Sequence, residues 1–187
     1  MFIAKTFKDF VSPEEINKII NYLEVTKDWR VLENSIWNNR TIPLNSINTS
    51  EIQSIIKIIV LKIQKIISKE YNIDCCVYAD SIDLCRWFAG TEQPPHCDDM
   101  SNIQNQFIIH GHRKFGSIIY LNNDYSGGRT YYPDYNFEIV PEVGKLAIHP
   151  ADCIHKHGVT KIQNNTRYTI ACFWTFDINK ANKFIEW

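Results

Sequence analysis

At Tyr71 the texture of this chain changes, and that change limits the possible folds more than any other feature. Up to that point apolar residues recur at helical spacing. Beyond it, runs are short, β-branched or aromatic, and interrupted by turn residues. The pattern predicts strands over residues 76–78, 82–88, 115–121, 129–132, 137–140, 145–149 and 166–176. Ala89-Gly90, Asn122-Asn123-Asp124, Ser126-Gly127-Gly128, Pro141 to Gly144 and Gln163-Asn164-Asn165 supply the turns. Strands so closely spaced build a sandwich or barrel of antiparallel strands. The expected class is therefore mainly β (α+β).

Two helices precede the strands. Ser12-Pro13-Glu14-Glu15 is a capping box with proline at the first helical position, and Ile16, Ile19, Ile20 and Leu23 follow on one face. A second helix begins near Ser50. Its stripe of Ile52, Ile55, Ile56, Ile59, Val60, Ile63, Ile66 and Ile67 lies opposite lysines, as in a helix laid against a sheet. With 187 residues and no linker, repeat or low-complexity tract, one domain is expected, with residues 1–75 as helical support for a β unit over 76–187.

Composition excludes several functions. A formal net charge of −1 provides no basic field, which disfavours nucleic acid as a partner. Lys57, Lys62 and Lys65 break the most apolar stretch, so no membrane span is expected. The segment MFIAKTFKDF has no apolar core of a signal peptide. The six cysteines, Cys75, Cys76, Cys85, Cys97, Cys153 and Cys172, form no CxxC pair and are expected to be free, buried thiols in a cytoplasmic protein. Oligomeric state is not legible.

All six histidines fall between His96 and His157. His96-Cys97-Asp98 sets an imidazole and a carboxylate two residues apart. On a strand both would share one face, with Cys97 packing on the other. A third ligand must come from elsewhere, and His155-Lys156-His157 offers candidates. Two histidines and one carboxylate leave coordination positions open for a chelating cosubstrate and O₂, the arrangement of non-haem Fe(II) oxygenases. Asp99 rivals Asp98, although on a strand it would face away from His96, and His155 rivals His157. His149 reads as a satisfied histidine ending a core strand. His110 and His112 belong to the loop after Asp98, which is placed to cover a substrate.

Four blocks in order resemble the 2-oxoglutarate- and Fe(II)-dependent dioxygenases of the prolyl 4-hydroxylase-like branch. They are Trp87-Phe88-Ala89-Gly90 leading to His96-Cys97-Asp98; Tyr120-Leu121-Asn122 closing with Gly127-Gly128-Arg129-Thr130; Val143 to Pro150; and His157-Gly158-Val159 with Arg167-Tyr168. The third block is similar to the family's glycine, x, two hydrophobics, Phe-Pro strand.

The resemblance implies a double-stranded β-helix (jelly roll) flanked by N-terminal helices. It implies His96, Asp98 and His157 as iron ligands and as the catalytic centre. Arg167 would pair with the distal carboxylate of 2-oxoglutarate, supported by the hydroxyl of Tyr120. Trp87 stands where relatives often have tyrosine and is a further cosubstrate candidate. Arg113 and Arg129 are substrate candidates, Arg129 replacing an acidic residue common in its block. Trp87, Tyr125, Tyr131, Tyr132 and Tyr135 serve packing or line a peptide groove. The implied reaction is hydroxylation of an unactivated C–H bond, with O₂ and 2-oxoglutarate consumed, succinate and CO₂ released, and ascorbate as reductant. Relatives that halogenate lack the carboxylate, so Asp98 implies hydroxylation. A procollagen-proline 4-dioxygenase-like activity on a prolyl residue of a peptide or protein is expected. A free amino acid, another small molecule, or a catalytically silent binding module are the alternatives.

Overall fold

The computed structural model describes residues 4–99 and 110–187. Helix α1 spans Pro13–Val25, and Ser12 and Glu15 cap it reciprocally: the Ser12 N–H donates to Glu15 Oε2 at 3.0 Å and the Glu15 N–H to Ser12 Oγ at 3.3 Å. Such a cap contributes about 1 kcal/mol. Helix α2 spans Ser50–Glu70 and buries Ile52, Ile56, Ile59, Val60, Ile63 and Ile67, the expected stripe. No helix among the described residues is long and apolar enough to cross a membrane.

Among the described residues ten strands follow one another as β1 (Lys5–Phe7), β2 (Thr41–Pro43), β3 (Tyr78–Trp87), β4 (Gln93–His96), β5 (Arg113–Tyr120), β6 (Thr130–Tyr132), β7 (Phe137–Ile139), β8 (Leu146–Pro150), β9 (His157–Val159) and β10 (Arg167–Thr175). All pairings are antiparallel. They form a six-stranded sheet in the order β1-β8-β5-β10-β3-β2 and a four-stranded sheet in the order β4-β9-β6-β7. Two such sheets with two helices make the expected mainly β jelly-roll architecture.

The period of two along β10 divides the interior. Ile170, Cys172 and Trp174 join the helix residues in the main apolar core, together with Ile82, Leu84, Ile119 and Ile148 from neighbouring strands. Arg167, Thr169, Ala171 and Phe173 face the other way, into a cavity between the sheets. The helices therefore buttress the outer face of the large sheet and leave the inner face to the cavity.

Several elements differ from the sequence expectation. The two strands expected over 76–78 and 82–88 are one, Tyr78–Trp87: Ser81 and Asp83 keep their pairing with β10, a register shift accommodates Asp80, and residues 76, 77 and 88 lie outside the strand. Strands β1, β2, β4 and β9 are three or four residues long, too short to show periodicity.

The cysteine reading requires correction. Cys97 and Cys153 form a disulfide with Cα atoms 4.9 Å apart, while Cys75 and Cys76 are exposed thiols and only Cys85 and Cys172 are buried ones. The backbone N–H groups of Asp98 and Asp99 both donate to the Ala151 carbonyl, at 3.0 and 3.2 Å, and this brings the two segments side by side. No local motif could reveal a partner 56 residues away. Closing so long a loop stabilises the fold mainly by restricting the unfolded chain. Urea unfolding with and without a thiol reductant should differ by about 2–4 kcal/mol in favour of the oxidised protein, and Cys153→Ser should remove the difference.

Candidate metal and cosubstrate site

The cavity is built by register. In the small sheet β4 pairs with β9, and His96 lies directly opposite His157. The chain then leaves the strand, and Asp98 sits in the turn tied to Ala151. Asp98 thus reaches the histidines from a turn and not, as expected, from a continuing strand. His96, Asp98 and His157 each offer a ligand atom, and these lie within 4.8 Å of one another. Asp98 Oδ1 is 3.6 Å from Nε2 of both histidines.

Hydrogen bonds orient both imidazoles. His96 Nδ1 is 3.1 Å from the Pro94 carbonyl, and His157 Nδ1 is 3.1 Å from the His155 carbonyl. Because a carbonyl only accepts, each Nδ1 carries the proton and each Nε2 presents a lone pair. The Gln93 amide nitrogen lies 3.2 Å from His96 Nε2. Burial, with His149 alongside, pushes His157 down to about 3. His96 is also depressed by burial, but Asp98 outweighs that and raises it. For Asp98 burial acts upward, and His157, His149 and His96 overcome it, holding the carboxyl well below its usual range. An ionised carboxylate facing a neutral imidazole is the donor set a divalent cation requires.

Arg167 opens β10 opposite Trp87, the last residue of β3. Its side chain is 2% exposed, and Nε and Nη2 have no hydrogen-bond partner among the described residues. A buried guanidinium with unmet donors is costly unless an anion completes it, which suits the far carboxylate of 2-oxoglutarate. The Tyr125 hydroxyl is likewise buried with no hydrogen-bond partner among the described residues. Gly128 permits this packing: a Cβ there would meet Tyr125 Cε2 at 2.7 Å and Arg167 Cδ at 3.0 Å, at a φ of +63°. The Arg167 guanidinium lies 5.2 Å from the Tyr120 ring, whose hydroxyl bonds Thr130 Oγ1 at 2.7 Å.

Trp87 is buried and lines the cavity with Arg167. Trp37, which the sequence did not single out, lines it too and meets Trp87 edge-on at 5.2 Å. Arg113 binds Asp80 at 3.0 Å and covers the outer end of Phe173, whose ring is 3.8 Å from the guanidinium. Arg129 is half exposed and pairs with Glu138 at 2.9 Å. Tyr132 is fully buried and Tyr125 nearly so, as packing residues.

The rival ligands lie apart from the three. Asp99 faces Cys153 Sγ at 4.0 Å. His155 bonds Asp152 at 2.6 Å and stacks on Tyr135. His112 pairs with Asp80 at 2.7 Å. His149 bonds Asp98, an association the sequence did not suggest. Of the loop expected to cover substrate, residues 100–109 lie outside the described residues, and His110 to His112 form a turn that leads into β5.

Residues 84–175 match the model of the 2OG-Fe(II) oxygenase superfamily, and the domain they form belongs to that family. No curated protein matches the chain. Among solved structures, a viral collagen prolyl hydroxylase from Paramecium Bursaria Chlorella virus-1, in its 2OG complex, aligns with a TM-score of 0.71 and 12% identity, covering 93% of this chain and 96% of that one. A Pseudomonas putida prolyl-4-hydroxylase aligns at 0.68 and 11%, covering 95% and 94%. A Trichoplax adhaerens prolyl hydroxylase, in complex with a hypoxia inducible factor peptide fragment, aligns at 0.67 and 13%, covering 92% and 83%. At these identities the likeness is one of fold.

The shifted groups set an acid sensitivity. His157 binds fewer protons folded than unfolded between its ordinary value of 6.5 and about 3, so stability falls as pH drops through that window. Asp98, also depressed, extends the loss below 3.8, while the raised His96 offsets part of it. The metal-free protein should melt at a lower temperature at pH 5 than at pH 7; a higher midpoint at pH 5 would contradict this.

Proposed function

We propose that this chain is an Fe(II)- and 2-oxoglutarate-dependent hydroxylase acting on a prolyl residue of a peptide or protein. The observation that carries the reading is the buried guanidinium of Arg167, whose Nε and Nη2 have no hydrogen-bond partner among the described residues, in the same cavity as the His96, Asp98 and His157 cluster. The family match supports the reaction class, and the prolyl hydroxylases among the structural neighbours support the substrate.

In this reading His96, Asp98 and His157 hold the iron. When bound, the metal would activate O₂ with 2-oxoglutarate as the electron-donating cosubstrate, one oxygen atom entering an unactivated C–H bond and the other entering succinate, with CO₂ released. Arg167 anchors the far carboxylate through Nε and Nη2, and Tyr120, held by Thr130, supports the guanidinium from 5.2 Å away. Trp87 and Trp37 wall the cavity with apolar surface and keep water from it. Arg113 and Arg129 are the proposed contacts to substrate at its approaches. Ascorbate serves as the reductant that keeps the iron ferrous.

Succinate release in the presence of Fe(II), 2-oxoglutarate and ascorbate tests the reading, with zinc-loaded protein as the control. His96→Ala or Asp98→Ala should abolish release, and full activity in either would sink the assignment. Arg167→Ala should lower kcat/KM for 2-oxoglutarate by about 100-fold or more, as expected for loss of charge-assisted hydrogen bonds. A screen of proline-containing peptides for a gain of one oxygen tests the substrate; hydroxylation of a free amino acid instead would redirect it.

A further inference from the structure

His149 occupies the penultimate position of β8. Its side chain is 1% exposed. Nε2 lies 3.0 Å from Asp98 Oδ2, and Nδ1 lies 2.8 Å from the Tyr132 hydroxyl. Asp98 therefore divides its two oxygens. Oδ1 faces His96 and His157, each 3.6 Å away, and Oδ2 is engaged by His149.

The neighbouring strand leaves room for this contact. Gly116 in β5 is the register partner of His149. A Cβ at Gly116 would stand 2.6 Å from His149 Nε2 and would also overlap Asp98 Oδ2. Only a residue without a side chain lets the imidazole and the carboxylate meet there. Histidine at 149, glycine at 116 and a tyrosine hydroxyl at 132 thus form one arrangement, and a phenylalanine at 149 could not hold Oδ2.

We propose that His149 is a positioning residue for the Asp98 carboxylate, and that Tyr132 fixes the orientation in which it acts. The inference rests on the iron reading of the cluster given above. The Asp98 carboxylate only accepts, so Nε2 of His149 carries a proton and donates it to Oδ2, while the Tyr132 hydroxyl at Nδ1 keeps the ring turned that way. Held in this way, Asp98 offers one oxygen toward the imidazole pair and not two. A freely rotating carboxylate would present both and compete for the positions that the cosubstrate and O₂ need. Partners that orient a metal-binding side chain are commonly worth about 10- to 100-fold in metal affinity.

The test uses the full chain with Mn(II) as the probe, titrated by electron paramagnetic resonance, and the visible spectrum of the Co(II)-loaded protein. His149→Phe should bind Mn(II) about 10- to 100-fold more weakly and alter the Co(II) spectrum. His149→Gln, which restores an N–H donor, should recover most of the affinity. Tyr132→Phe, which deletes one oxygen atom, should lose about threefold, the scale of one net hydrogen bond. A histidine that only packs would change the unfolding midpoint of the metal-free protein and leave Mn(II) affinity alone. Unchanged affinity and spectrum in His149→Phe overturn the inference while the iron site stands. If that variant does not fold, unchanged affinity in Tyr132→Phe overturns it equally. Absence of Mn(II) binding by the unmodified protein overturns the iron reading itself, and this inference with it.

Discussion

Alternation along β10 is the constraint on which the rest of the structure depends. The strand pairs with β3 on one side and β5 on the other, so its residues have no freedom to choose a face. Even-numbered positions from Ile170 to Trp174 are committed to the helix-covered core, and odd-numbered ones from Arg167 to Phe173 to the cavity. A slip of one residue would place the guanidinium among isoleucines and Trp174 in the cavity. The two long helices matter to function through this division: by sealing one face, they reserve the other for polar groups.

Against that rigid face stands a smaller sheet of short strands, which carries both histidines of the cluster. His96 meets His157 because β4 and β9 are in register there, and Asp98 arrives because two backbone donors share the Ala151 carbonyl. The Cys97–Cys153 disulfide ties the same two segments covalently. Short strands provide few ladder hydrogen bonds, so a side-chain and covalent framework holds geometry that the sheet alone would hold loosely. His149 extends that framework from the large sheet across to Asp98.

Much of this was legible in the residues. The helical stripe of α2 and the strands with clear alternation leave periodic marks, and Arg167 was picked out by the resemblance of its block. What escaped the reading lacked such marks. β4 contains Pro94 and Pro95, which argue against a strand on propensity, and its pairing comes only from tertiary context. Trp37 lies in a stretch without periodicity and reaches the cavity because the connection after α1 folds back over β3. The disulfide joins residues with no local signature. His149 was recognisable as a core histidine, but its partner sits 51 residues away and could not be inferred from spacing.

The two prolines of β4 have a consequence beyond geometry. β4 is an outer strand of the small sheet, and two of its four residues carry no backbone N–H. Open strand borders invite a further strand from a neighbouring molecule, which would continue the ladder and begin an aggregate. Pro94 and Pro95 make that border a poor template. The edge beside His96 is thereby unsuited to taking up a further strand, and the border that carries a ligand of the cluster stays the end of its sheet.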